Sequence, residues 1–170
     1  PHCSDNEKLG AFLMFEDFAQ DPSTPPLEMD MLAIDLVRPA DSRLKIYFRA
    51  RETSFASVRQ MMTMGNRITN PSLEAGLRNL RKLWDGVLAQ TGVPDDTPLP
   101  SANHRTGGIL YNMEFRPGST APNVKVYIPA RHYAPSDWHV VTALNEYMYG
   151  INEKSELPMR TYTETLRKVL

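Results

Sequence analysis

Residues 44–51 read Leu44-Lys45-Ile46-Tyr47-Phe48-Arg49-Ala50-Arg51, and residues 124–131 read Val124-Lys125-Val126-Tyr127-Ile128-Pro129-Ala130-Arg131. At an offset of 80 the Lys, Tyr, Ala and Arg positions are identical, and Leu44/Val124, Ile46/Val126 and Phe48/Ile128 are conservative. Both runs read as strands, and alternate side chains of a strand point to opposite faces. The context repeats too. Arg38-Pro39 and Arg116-Pro117 stand before the turn that leads into each run, and a capped helix opening on an aromatic, Phe55 or Trp138, follows each. This is an internal duplication of one supersecondary unit.

Working outward, residues 31–37 read as the strand preceding the first run, with Leu32, Ile34 and Leu36 on one face, and Pro39 with Asp41-Ser42 as the turn. Residues 43–51 form the second strand. Thr53-Ser54 offers a helix N-cap and Gly65 a stop. A second helix spans 71–90, capped by Asn70 or Ser72 and closed by Gly92. Its buried stripe is Leu73, Leu77, Leu80, Leu83, Trp84, Val87 and Leu88. A proline-rich loop covers 93–103. Strands at 108–115 and 124–129 join around Pro117-Gly118. Ser136 or Asp137 caps a helix that reaches Tyr149 before Gly150, and a last helix runs from Pro158 into Leu170. Ahead of all this, residues 8–19 suggest a short helix or an irregular apolar stretch, with Gly10 counting against the helix, and 21–26 a loop. The expected organisation is an N-terminal extension or end of a preceding repeat at 1–27, a first ββαα unit at 28–92 and a second at 93–170. The fold class is α+β, with antiparallel strand hairpins and outer helices.

The chain has 170 residues, a net charge of -1 and a pI near 6.5. That charge argues against a nucleic-acid module, which is normally strongly basic. No run of 18 apolar residues suggests a membrane span, and the first residues lack a secretory signal pattern. Cys3 is the only cysteine, so an internal disulfide is excluded and a reducing, cytoplasmic location is the default.

In the two repeated strands, Leu44, Ile46, Phe48 and Ala50, and Val124, Val126 and Ile128, form the face that packs on helices. Arg43, Lys45, Tyr47, Arg49 and Arg51, and Lys125, Tyr127 and Arg131, form the other. If that second face lines a closed cavity, its cations need an anion, because unpaired buried charge is costly. Arg and Lys suit phosphate oxygens, and tyrosine rings attract a cation. The set therefore suits a diphosphate leaving group and a shielded allylic cation. Against this stands an ordinary wet surface of Lys and Tyr. Asp95-Asp96 is the one aspartate pair and sits in a proline-rich turn without a third carboxylate, so no metal site is expected. The four histidines have no metal-type spacing, His132 reads as a strand-end packing residue, and Thr106-Gly107-Gly108 as a turn entering a strand.

The run 42–47 (Ser-Arg-Leu-Lys-Ile-Tyr), the run Thr53-Ser54-Phe55 with Val58-Arg59, and the run 124–129 with Arg131-His132-Tyr133 resemble the fungal aromatic prenyltransferases of the dimethylallyltryptophan synthase superfamily. The resemblance covers most of residues 28–170. It implies a ten-stranded antiparallel barrel of repeated αββα units, of which this sequence supplies four strong strands. It implies transfer of a dimethylallyl group from its diphosphate to an indole or other aromatic acceptor, with no cofactor and no aspartate-bound magnesium. Arg43, Lys45, Tyr47, Lys125 and Tyr127 would bind the prenyl diphosphate or shield the cation. The acidic residue that assists deprotonation would lie upstream of this region, and the last shielding tyrosines beyond Leu170. Members that use free tryptophan carry an Arg where Met29-Asp30-Met31 stand here, which points to an indole-containing peptide or another aromatic. The alternative is a truncated, non-catalytic diphosphate- or aromatic-binding remnant. Exposed sheet edges in a partial barrel suggest a homodimer.

Overall fold

The computed structural model describes residues 9–38, 40–150 and 156–169. The expectations for Cys3, Pro39 and Leu170 fall outside them. In chain order the elements are helix α1 (Gly10–Gln20), strands β1 (Leu27–Ile34) and β2 (Leu44–Ala50), helices α2 (Phe55–Met62) and α3 (Pro71–Leu88), strands β3 (Ile109–Phe115) and β4 (Asn123–Tyr127), then helices α4 (Ala130–Tyr133), α5 (Asp137–Tyr149) and α6 (Glu156–Val169). The duplicated order of two strands followed by helices is present.

The strands form one antiparallel sheet in the order β1-β2-β3-β4. Both hairpins therefore share a sheet, joined through β2 and β3, whose pairing runs from Leu44 opposite Phe115 to Ala50 opposite Ile109. Chain contacts gather the described residues up to Glu74 and Asp95–Pro129 into one compact unit, which holds the sheet, and Ala75–Pro94 with the described residues from Ala130 onward into a second.

Within the first unit the core lies on one sheet face. Ile46, Phe48, Ile109, Tyr111 and Met113 are buried there. Helix α1 covers them with aromatic rings: Phe15 lies 6.1 Å from Phe48 and 5.7 Å from Phe115, and Phe12 lies 5.7 Å from Phe115. Such contacts add to the area term of burial. Gly10, expected to oppose a helix, is the first residue of α1. At the first position a glycine costs little helix, and the Ala11 N–H that follows donates to Ser119 O at 2.9 Å. Helix α2 is capped as expected, with Ser54 Oγ accepting from Ser57 N at 3.2 Å.

Strand β1 begins four residues earlier and ends three residues earlier than its apolar pattern predicts. Its extent follows its partner, from Leu27 opposite Ala50 to Ile34 opposite Leu44, with a bulge between Met29 and Met31. On the core side, Met29, Leu32 and Ile34 stay 60–64% exposed, because α1 lies over β2 and β3. Gly108 enters β3 with φ of +83°, and a Cβ there would stand 2.5 Å from Ala50 O. Only glycine fits that approach.

In the second unit, Leu77, Trp84, Val87 and Leu88 of the expected stripe are buried. Asn70 Oδ1 accepts from Leu73 N at 2.8 Å and so caps α3. The helix is closed by Ala89 rather than Gly92. Ala89 takes a φ of +53°, and the Gln90 N–H reaches back to Asp85 O at 2.9 Å, the hydrogen bond of a Schellman closure. Ser136 and Gly150 bound α5 as expected. Unlike the buried Phe55, however, Trp138 is 59% exposed, with the Arg167 guanidinium 5.5 Å from its ring centroid.

One part of the duplication fails. The fourth strand ends at Tyr127, and residues 130–133 form a single helical turn. Pro129 has no N–H to extend the ladder. Arg131 therefore does not share the strand face of Lys125 and Tyr127, and His132 is not a strand-end residue.

Candidate functional site

The face opposite α1 carries the polar alternates of all four strands. Lys45 pairs with Glu114, Tyr47 with Asn112 and Arg49 with Leu110. Asn112 in turn pairs with Lys125, and Leu110 with Tyr127. On the other flank, Met31 stands opposite Tyr47 and Ala33 opposite Lys45. Two strands far apart in sequence thus bring both Lys-x-Tyr pairs to one surface, on either side of β3. The Tyr47 and Tyr127 ring centroids are 6.5 Å apart. Burial first, then the neighbouring Tyr47 hydroxyl, raises the Tyr127 phenol above its usual range.

Arg43, just ahead of β2, joins the same face. It bonds Asp35 through Nε and reaches Glu114 Oε2 at 3.2 Å. Lys45 Nζ donates to Asp35 Oδ1 at 2.7 Å. Glu114, 3% exposed, also accepts from Arg116 Nε at 3.0 Å and Lys125 Nζ at 3.5 Å. Arg49 Nη2 reaches Asp30 Oδ2 at 2.8 Å. Hydrogen bonds from Lys45 and then Arg43 hold the Asp35 carboxyl below the usual carboxylate range. Burial works against the charged form of Glu114, but Arg43, Lys125 and Arg116 outweigh it, so its carboxyl also lies low.

All five residues singled out from sequence, Arg43, Lys45, Tyr47, Lys125 and Tyr127, lie on this face. The expectation that their cations require an external anion is corrected. Asp35, Asp30 and Glu114 already pair with Arg43, Lys45, Arg49 and Lys125 within the chain. Those carboxylates were missed for a definable reason. Glu114 and Asn112 alternate with the apolar Tyr111, Met113 and Phe115, a pattern visible in the sequence. Their opposition to Lys45 and Lys125 depends on register. Asp30 meets Arg49 at the β1 bulge, which periodicity does not signal. Among the described residues no group of three His, Cys, Asp or Glu side chains is placed to hold a metal ion, and no helix is long and apolar enough to cross a membrane. Arg51 turns to other work, gripping Glu28 at 2.7 Å and the Gly107 carbonyl at 3.0 Å.

The fold is similar to that of solved prenyltransferases. NotF prenyltransferase is similar, with a TM-score of 0.69 and 29% identity over 95% of this chain and 36% of that one. NotF in complex with brevianamide F and DMSPP gives a TM-score of 0.65 over 88% of this chain and 35% of that one, again at 29% identity. The sequence matches the tryptophan dimethylallyltransferase family over residues 3–163, and the chain belongs to that family. Among curated relatives, 4-O-dimethylallyl-L-tyrosine synthase of Claviceps purpurea (strain 20.1) is 39% identical over 87% of this chain and 33% of its own. The 7-dimethylallyltryptophan synthase hasE of Aspergillus fumigatus is 40% identical over 69% of this chain and 25% of its own. The indole diterpene prenyltransferase atmD of Aspergillus flavus is 31% identical over 96% and 39%. The chain thus spans between a quarter and two fifths of the length of these relatives.

Proposed function

We propose that the polypeptide to which this sequence belongs is an aromatic prenyltransferase that moves a dimethylallyl group from its diphosphate to an indole-type aromatic acceptor, without a metal cofactor and in the cytoplasm. The observation that carries it is the convergence of Lys45, Tyr47, Lys125 and Tyr127 on one sheet face, on either side of β3. Arg43, Lys45 and Lys125 take up the charge of the diphosphate as the allylic C–O bond breaks and its electron pair leaves on oxygen. The Tyr47 and Tyr127 rings turn their negative faces to the allylic cation, each contributing about 0.5–2 kcal/mol. The aromatic acceptor supplies the electron pair for the new bond, and its ring proton leaves to a base outside this sequence.

The diphosphate, carrying more charge than one carboxylate, displaces Asp35 and Glu114 as partner of these cations. Two ββαα units, 28–92 and 93–170, supply the two halves of the face. A homodimer that covers the exposed apolar side chains of β1 completes the proposal.

Lys45→Ala and Tyr47→Phe test it. Affinity for DMSPP, read by calorimetry, should fall about tenfold or more in Lys45→Ala, with little change in melting temperature. Tyr47→Phe should keep the ring and lose the hydroxyl contact. Unchanged affinity in both variants would remove the assignment. A second reading, a remnant that binds without catalysis, is favoured by the carboxylates that already pair with the cations. Incubation with dimethylallyl diphosphate and an indole acceptor separates the two, since a remnant binds donor and yields no prenylated product.

A further inference from the structure

Asn112 sits at the middle of β3, directly opposite Tyr47 on one side and Lys125 on the other. It is 1% exposed, and its amide Nδ2 has no hydrogen-bond partner among the described residues. A buried donor left unbonded is costly and rare. Its neighbours explain why it is orphaned. Lys125 is a donor only. The Tyr47 and Tyr127 rings lie beside each other, 6.5 Å between centroids. Glu114, the acceptor two residues along the same face, already takes Arg43, Arg116 and Lys125. The face is therefore rich in donors and short of one acceptor at its centre.

We infer that Asn112 is a further donor-binding residue, whose amide N–H donates to an oxygen of the prenyl diphosphate between Tyr47 and Lys125. This rests on the proposed prenyltransferase function and adds a neutral, directional contact to the cationic ones. A cation attracts any anion on the face. An amide held at one point in the register also sets which oxygen lies against β3 and where the allylic carbon projects.

The test uses Asn112→Leu and Asn112→Ser, with Lys45→Ala as control, and inorganic diphosphate and DMSPP as probes in calorimetry. Melting temperatures are measured beside them. Asn112→Leu removes the unbonded Nδ2 together with the amide oxygen, so it should melt near the wild-type temperature while binding both probes roughly ten- to a hundredfold more weakly, the loss expected for a hydrogen bond to a charged acceptor. Asn112→Ser, a smaller change with a donor hydroxyl, should keep the fold and fall between the two. If wild type binds, Lys45→Ala weakens binding and both Asn112 variants bind like wild type, the amide is only a structural or water-bonded group and the inference is overturned while the prenyltransferase proposal stands. If wild type binds neither probe, both fall together.

Discussion

Glu114→Gln separates the two roles of the carboxylate at the centre of the polar face, because it should lower stability and raise donor affinity at once. Glu114 is 3% exposed and meets Arg43 at 3.2 Å, Arg116 at 2.9 Å and Lys125 at 3.5 Å. Breaking a fully buried pair costs about 3–5 kcal/mol. Here Arg116 and Lys125 are 54% and 50% exposed and turn to water, and Arg43 keeps Asp35. Exposed pairs are worth only about 0–1 kcal/mol, so the expected loss is about 1–2 kcal/mol. For the ligand, a carboxylate about 6 Å from a phosphate charge repels it by about 3 kcal/mol at an effective dielectric near 20. Solvent and the freed cations change that figure in opposite directions, and an increase of roughly ten- to a hundredfold in affinity is expected. Urea unfolding gives the first quantity and calorimetry with inorganic diphosphate the second. Weaker binding in Glu114→Gln would refute the idea that this carboxylate competes with the ligand, and would make it a support for Lys125 and Arg43 instead.

Acid should weaken the same cluster. Asp35 and Glu114 have folded-state carboxyls held low, so their contribution is complete above the unfolded carboxylate range near pH ~4–4.5 and is lost as pH falls through their lower folded values. Melting temperature followed from pH 6 to pH 2 (about two units either side of that range) should fall more steeply for wild type than for Asp35→Asn with Glu114→Gln; parallel curves would contradict it. Tyr111 is fully buried with its hydroxyl unbonded among the described residues, burial raises its phenol far above the usual range, and its ring stacks on Phe48 at 5.6 Å. Tyr111→Phe keeps the stack and removes the orphan, so thermal unfolding should shift upward by a few degrees, for about 1 kcal/mol; a downward shift would mean that the hydroxyl is bonded. Gly108→Ala should lose more than about 2 kcal/mol, since it meets both a left-handed backbone and the Ala50 carbonyl; a variant within 0.5 kcal/mol of wild type (about the usual range for harmless surface changes) would show that the β3 start moves freely.

Local sequence signals mark some elements of this fold and not others. The starts of α2 and α5 and the end of α5 were readable because their caps are local: Ser54 and Ser136 each bond an N–H three residues on, and Gly150 takes a positive φ; α2, expected to stop at Gly65, stops at Met62, and Met64 is the first residue to turn left-handed. The end of α3 was not, since Ala89 adopts a left-handed backbone without the composition that signals one. Strand β4 stopped early because Pro129 outweighed a repeat that matched at Ala130 and Arg131.

The alternation that divides the faces of β2 and β4, and the duplication that puts Lys and Tyr at the same point of each, are written in the order of the residues. Alternation is a property of the extended backbone and needs no neighbour. Which side chain meets which across the sheet follows from folding alone. Asp35 against Lys45, Glu114 against Arg43 and Lys125, and Asn112 between Tyr47 and Lys125 all depend on strand register. Arg43 and Glu114 are 71 residues apart in the chain. A one-residue slip would turn every one of those side chains to the opposite face. Register is set by the joint packing of Phe48, Tyr111 and Phe115 under α1, so the charge balance of the polar face is settled by the apolar one.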